Sequence, residues 1–309
     1  MNRRDLLTGF IAGAAFTGGS AYFWQKDRFA DVAAVDTDLQ TPVDELSLVE
    51  PPLVEPTIDS ETPMLDEQQI AAASVDEKVR HFERDFEDDI RLPEEERELM
   101  QSVLLRLERV QKVVGHGNFN VLSFDDALKF AKRYSSAGAF TQQELDFLEK
   151  VYFTEASSYG FFGERVTQEL TARISKADTV KIPYSGHFLF KGDSLDYYNK
   201  LKTDIGDNII LTSGIRSNVK QMHLFLAKTA ASGYNLSKAS RSLAPPGHSF
   251  HGIGDFDVGR VGWGYENFTD KFAQTDEFKR MQDLGYVQIR YTEGNNLGVR
   301  FEPWHIKVV

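Results

Sequence analysis

The chain has 309 residues, enough for two domains and a sizeable core, and its lack of cysteine excludes disulfides and thiolate metal ligands. Its formal charge of −12 is concentrated near the front, where residues 31–100 hold 22 acidic and 5 basic side chains. Residues 101–309 are slightly basic and so would not repel an anionic polymer, and no basic patch with interleaved aromatics argues for nucleic acid.

The first 30 residues open with Arg3-Arg4 ahead of an apolar run from Gly9 to about Trp24. That is the anatomy of an export signal, and the adjacent arginines resemble the twin-arginine type. The run is short for a spanning helix, so the alternative is an N-terminal membrane anchor. Val32-Ala33-Ala34 offers a cleavage context. Export places the mature protein in a bacterial periplasm or cell envelope. Residues 31–75 are acidic, carry Pro42, Pro51, Pro52, Pro56 and Pro63, and show no apolar period. Such a segment buries too little to offset its conformational entropy and reads as a disordered linker.

Residues 76–175 read as a helical domain. A first helical stretch runs from Ser74 to Glu83, with Ser74 as N-cap. Pro93 followed by three glutamates opens a second, whose Leu99, Val103, Leu107, Val110 and Val114 recur at helical steps. Ser123 with Asp126, and Thr141 with Glu144, have the spacing of helix-capping pairs ahead of Ala127–Tyr134 and of a helix through Leu148 and Phe153. Tyr152, Phe153, Tyr159, Phe161 and Phe162 read as core. His81 and His116 lack a second ligand at metal spacing and read as surface or hydrogen-bonded histidines.

Residues 176–309 change pattern. A helix is expected from Ser194 to about Lys202, a buried strand at Asn208–Thr212, and a helix from Asn218 to Ser232 closed by Gly233. A further helix spans Phe268–Leu284, and Tyr286–Tyr291 pairs with Val299–Val309 as a hairpin. Helices grouped with a small antiparallel sheet make this an α+β arrangement, preceded by the all-helical region.

Two runs in this region carry chemistry. Pro246-Gly247-His248-Ser249-Phe250-His251-Gly252-Ile253-Gly254-Asp255-Phe256-Asp257 puts imidazoles and two carboxylates among glycines. Glu302-Pro303-Trp304-His305 puts a carboxylate three residues before another imidazole. Two histidines and one aspartate, with a spare glutamate, form the ligand set of a catalytic zinc site that keeps one position open for water. For Glu302 and His305 to act together on one strand, the chain must bend at Pro303, because positions three apart otherwise face opposite sides.

The segment Ser249-x-His251-x-x-Gly254 followed by Asp, the terminal Glu302-x-x-His305, and Ser213-Gly214-Ile215-Arg216-Ser217 with Gln221 together resemble the VanY-type zinc D,D-carboxypeptidases, which are LAS-type metallopeptidases that trim bacterial cell-wall peptides. The resemblance covers roughly residues 180–309. It implies Zn2+ held by His251, Asp257 and His305, with Glu302 as general base. It further implies that Arg216 meets a substrate carboxylate or developing oxyanion, that Ser249 and Gln221 hold the peptide, and that the substrate is a peptidoglycan stem peptide. In the family the aspartate follows the first histidine by seven residues, whereas His251 and Asp257 are six apart. Asp255, seven after His248, is therefore the alternative ligand. Endopeptidase action on cross-links, L,D specificity, and a wall-binding module that kept the fold without the metal are the alternative functions. His187 and His223 read as structural. Trp304 reads equally as site wall or core, with Tyr291 and Trp263 as weaker site candidates.

Overall fold

The first long helix is α1, Glu94–Val114, which starts directly after Pro93 with Glu94, Glu95 and Glu96 in its first turn, where their charges complement the helix dipole. The computed structural model of the protein describes residues 75–309. The export signal, most of the linker and the Ser74 cap lie outside the described residues. Among the described residues no helix is long and apolar enough to cross a membrane.

The apolar stripe of α1 is real: Val103, Leu107 and Val110 are buried, while Leu99 and Val114 pack half-buried against the same cluster. Helix α2, Phe124–Arg133, is capped by Ser123, whose Oγ accepts from Asp126 N at 3.2 Å. Helix α3, Gln142–Phe153, begins with a full capping box between Thr141 and Glu144. The Glu144 carboxylate also takes Arg106 Nε at 2.8 Å and Ser102 Oγ at 2.7 Å, so this buried charge is satisfied on every side. Of the aromatic run, Tyr152, Tyr159 and Phe161 are buried, whereas Phe153 and Phe162 are about half exposed. His81 and His116 are exposed.

The C-terminal half adds a two-stranded ribbon, β1 Thr179–Lys181 with β2 Phe188–Phe190, and helix α4, Asp193–Ile205. Strand β3, Ile209–Ser213, leads to helix α5, Asn218–Ala231, capped by Ser217 and followed by a short helix α6, Leu236–Ser240. Strand β4, Phe256–Arg260, lies between β3 and the two-residue β5, His305–Ile306, in an antiparallel sheet of order β3-β4-β5. The α+β class is the one expected.

Two expected elements differ. The single helix over 268–284 is instead two 3-10 turns, Gly264–Phe268 and Asp270–Gln274, followed by helix α7, Asp276–Asp283. Thr269 and Thr275 take extended backbone geometry between these pieces. Thr275 Oγ1 then accepts from Phe278 N at 3.1 Å, so a residue read as interior acts as a cap. The expected hairpin is reduced to a bridge between Ile289 and Ile306, with Arg290 N donating to His305 O and Lys307 N to Gln288 O. Its regular pairing stops at Glu302, where the chain turns.

Two large cores result. One joins α1, α2 and α3 to Val219, Met222, Phe225 and Leu226 of α5, so the helical region and the C-terminal region share it. The other packs Ile209, Leu211, Phe256, Val258, Trp304 and Ile306 against Tyr198 and Leu201 of α4 and Phe278 and Met281 of α7. Trp304 is thus a core residue. Gly214, just past β3, marks a close approach: a Cβ there would lie 2.1 Å from the Phe188 carbonyl oxygen, which accepts from Ile215 N at 2.8 Å.

A buried ion pair ties the segment before α1 to α6. Arg241 donates Nη1 to Asp89 Oδ1 at 2.7 Å and Nη2 to Oδ2 at 3.1 Å, and Asn235 Nδ2 adds a bond at 2.7 Å. Burial opposes the Asp89 charge, but the Arg241 and backbone bonds outweigh it and hold the carboxyl at about 2.

Removing one partner of such a pair strands the other, so Arg241→Ala is expected to cost about 3–5 kcal/mol in urea unfolding. A loss below about 1 kcal/mol, the usual worth of an exposed pair, would contradict this account. Because Asp89 is depressed in the folded state, its contribution should be intact above about pH 4 and decline as pH falls through about 2. Gly214→Ala meets backbone rather than a flexible side chain, and is expected to cost about 1–3 kcal/mol by overpacking. Wild-type unfolding of that variant would refute the close approach.

Candidate metal centre

The sheet register builds half of the site. Ser213 on β3 pairs with Asp257 on β4, and Asp257 pairs with His305 on β5, so the three lie in one row across the sheet. A register shift between Leu211 and Ser213 brings Ser213 into that row. His251 comes from the 3-10 turn Phe250–Gly252 just before β4. It is fixed twice to the chain beyond β3: its carbonyl accepts from Arg216 N at 3.2 Å, and its Nδ1 lies 2.8 Å from Gly214 O. A carbonyl only accepts, so Nδ1 carries the proton and Nε2 presents its lone pair.

The ligand atoms of three residues converge. His251 Nε2 is 3.2 Å from Asp257 Oδ1, and His305 Nδ1 is 3.5 Å from the same oxygen. One ligand atom from each of the three residues lies within 4.8 Å of the others, and all three residues are buried. The Glu302–His305 stretch is a tight turn, with His305 N donating to Glu302 O at 3.1 Å. The bend at Pro303 required by the sequence is therefore present, and it leaves Glu302 Oε2 3.5 Å from His305 Nδ1.

Arg216 is not free. Its Nε donates to Ser213 Oγ at 2.9 Å and its Nη2 to Asp257 Oδ2, so two of its three nitrogens orient the site. Asp257 is thereby left with Oδ1 facing the imidazoles. Gln221 is buried and donates Nε2 to Ala244 O at 2.6 Å, which holds the Pro245-Pro246-Gly247 approach to the first run. Ser249 is buried at the start of the His251 turn. His248 points elsewhere, with Nδ1 3.0 Å from Glu164 O and 3.1 Å from Gly163 O.

Asp255 takes a place that the sequence did not reveal. Its carboxylate meets Arg290 at 2.7 and 3.1 Å and His305 Nε2 at 3.1 Å, on the edge of the ring away from Asp257. Tyr291 stands edge-on to His305, with ring centroids 4.9 Å apart. Arg290 and Tyr291 reach the site only because their segment pairs with His305, which no local motif signals. His187 is hydrogen-bonded to Asn120, and His223 packs edge-on to Phe119; burial lowers both, to about 4 and about 3.

The electrostatics suit a cation. Burial, helped by Arg216, lowers His251 to about 4, so its ring is neutral at ordinary pH. Burial also opposes charge on Asp257, but His251 and Arg216 outweigh it and hold the carboxyl well below its usual range. For His305 burial again works against charge, yet the bonds to Asp255 and Glu302 raise it to about 9. The three carboxylates thus favour positive charge between them. His251 Nε2 and Asp257 Oδ1 are buried without a hydrogen-bond partner, an arrangement that costs free energy unless something else uses them. Two imidazole nitrogens and one carboxylate oxygen fit a first-row divalent ion such as zinc.

Comparison with known proteins bears on the same part of the chain. Residues 194–309 match the family model described as VanY, D-alanyl-D-alanine carboxypeptidase. No curated protein matches the sequence. Among solved structures, the LdcB LD-carboxypeptidase is 24% identical, with 44% of this chain and 70% of that one covered and a TM-score of 0.38. A mutant of the vancomycin-resistance D,D-pentapeptidase VanY in complex with Zn(II) is 24% identical over 42% of this chain and 78% of that one, at a TM-score of 0.33. VanYB in complex with D-alanine-D-alanine is 25% identical over 42% and 76%, at 0.32. The similarity to the VanY family model is thus carried by residues 194–309, and by no more than that part of the chain.

Proposed function

We propose that the C-terminal region is a zinc peptidase that hydrolyses D-amino-acid-containing peptide bonds of peptidoglycan stem peptides, acting as a D-alanyl-D-alanine carboxypeptidase. The observation that carries this reading is the convergence of His251 Nε2, Asp257 Oδ1 and His305 Nδ1 beside the Glu302 carboxylate. The family match over residues 194–309 supports the substrate class.

In this mechanism His251, Asp257 and His305 would hold the zinc. When bound, zinc supplies an acidified water and polarises the scissile carbonyl. Glu302, fixed by the Pro303 turn next to His305, accepts a proton from the attacking water and returns it to the leaving amine. Arg216 keeps Asp257 oriented through Nη2 and offers the rest of its guanidinium to the substrate carboxylate or the developing oxyanion. Ser249 lines the His251 turn against the peptide. Gln221 serves the same end from behind, by holding the Ala244 carbonyl. The twin-arginine-like start of the chain agrees with this substrate, since export would bring the enzyme to the cell envelope.

Chelation is expected to abolish release of D-alanine from defined muropeptides, followed by mass spectrometry, and added zinc to restore it. Full activity of metal-free protein would refute the reading, and the product masses separate carboxypeptidase from endopeptidase cleavage. Glu302→Gln keeps size and reach but cannot take the proton, so turnover should fall roughly 10²–10⁴-fold while zinc content stays stoichiometric. His305→Ala should lose metal and activity together. A fully active, zinc-loaded Glu302→Gln enzyme would remove Glu302 from the base role.

A further inference from the structure

Asp255 is buried in the same segment as the site, yet the mechanism above gives it no task. Its Oδ2 accepts from Arg290 Nε at 2.7 Å and lies 3.1 Å from His305 Nε2. Its Oδ1 accepts from Val308 N at 2.8 Å, Arg290 Nη2 at 3.1 Å and Val309 N at 3.3 Å. The side chain has no exposure. Arg290 is held in turn: its guanidinium lies 3.6 Å over the Phe250 ring centroid and donates to the Val309 carbonyl.

We infer that Asp255, braced by Arg290 and the Val308 and Val309 amides, is a positioning residue that fixes the tautomer and ring orientation of His305, and that it is not itself a metal ligand. This rests on the zinc-site reading above. The argument is one of donors and acceptors. An ionised carboxylate can only accept, so the His305 nitrogen facing Asp255 must carry the proton. An imidazole that ligates a metal ion is neutral and keeps one proton, so with that proton on Nε2 the ligand atom would be Nδ1, the atom facing Asp257 and Glu302. A ring flip would put Cδ2 in place of Nδ1 and Cε1 in place of Nε2, removing the ligand atom from the Asp257 side and the imidazole donor from Asp255. Asp255 also has no room for a second role. A carboxylate offers about four lone-pair sites, and five donors already crowd these two oxygens. It meets His305 on Nε2, whereas the ion would sit at Nδ1.

The Arg290 brace explains why the carboxylate stays where it is. An aspartate alone behind a histidine can rotate away, but here both oxygens are anchored by a guanidinium fork and backbone amides, whose geometry is set by the pairing of residues 288–291 with 302–307. Partners that orient a metal-binding histidine in this way are worth about 10–100-fold in metal affinity.

The test is a zinc titration of the full chain against a competing chelator, for wild type, Asp255→Asn and Asp257→Asn. Asparagine can accept from His305, but its amide then faces the Val308 and Val309 N–H groups, so the clamp is broken with little change in size. Asp255→Asn should bind zinc about 10–100-fold more weakly than wild type, and Asp257→Asn more weakly again. Affinity of Asp255→Asn within twofold of wild type would overturn the inference. So would a loss equal to that of Asp257→Asn, which would make Asp255 a ligand. A second measurement needs no variant of Asp255 to fold: ¹⁵N-histidine NMR of zinc-loaded wild type, with the resonance assigned by its loss in His305→Asn. The expected state is a protonated Nε2 and a metallated Nδ1, and the opposite assignment would overturn the inference. Failure of wild type to take up zinc would instead bring down the zinc-peptidase reading, and this inference with it. The wild-type titration alone reports that outcome.

Discussion

Two carboxylates, Asp255 and Asp257, are withdrawn from water two residues apart, and the C-terminal region is arranged around them. A buried carboxylate is tolerated only when cationic or N–H partners replace its hydration. Asp255 is answered by Arg290, by the Val308 and Val309 amides, and by one edge of His305. Asp257 is answered by Arg216 on one oxygen, while its Oδ1 faces two imidazole nitrogens with no hydrogen-bond donor. His305 lies between them and presents a different nitrogen to each. The sheet exists in large part to hold that arrangement, since its three short strands meet in the row Ser213, Asp257 and His305.

The helical region contributes more than a spacer would. Ser217 N, at the head of α5, donates to Asn120 O at 2.8 Å, and Asn120 also reaches the Gly186 and His187 loop. Asn218 donates to Glu169 O at 2.9 Å and accepts from Thr167 Oγ1 at 2.9 Å. The loop that carries Arg216 is therefore gripped from both sides. Its orientation depends on residues well outside the segment that matches the VanY family.

What could be read from the sequence was what is local. The Thr141–Glu144 and Ser123–Asp126 caps and the α1 stripe are properties of a few neighbouring residues, and they hold. The residues His251, Asp257, His305 and Glu302 could be gathered because two short motifs carry the chemistry, and the structure places them side by side. The breaks at Thr269 and Thr275 were hidden because a threonine inside an apolar period looks the same whether it caps or continues a helix. The work of Arg290 was hidden for a different reason: it stands opposite His305 only through a long-range pairing. Gln221 has a bond that its motif does not announce, since its Nε2 donates to the Ala244 backbone while its Oε1 has no hydrogen-bond partner.

The turn at Pro303 has a consequence for how the site comes into being. Glu302 and His305 are brought together by one four-residue bend whose proline already restricts φ in the unfolded chain, so little conformational freedom is lost when it forms. Contacts this local close early, whereas the alignment of β3, β4 and β5 must wait for distant parts of the chain to meet. The site therefore has a prefabricated half and an assembled half. The spacing of Glu302 from His305 is written into the order of the amino acids themselves, while the spacing of both from Asp257 exists only once the sheet has closed.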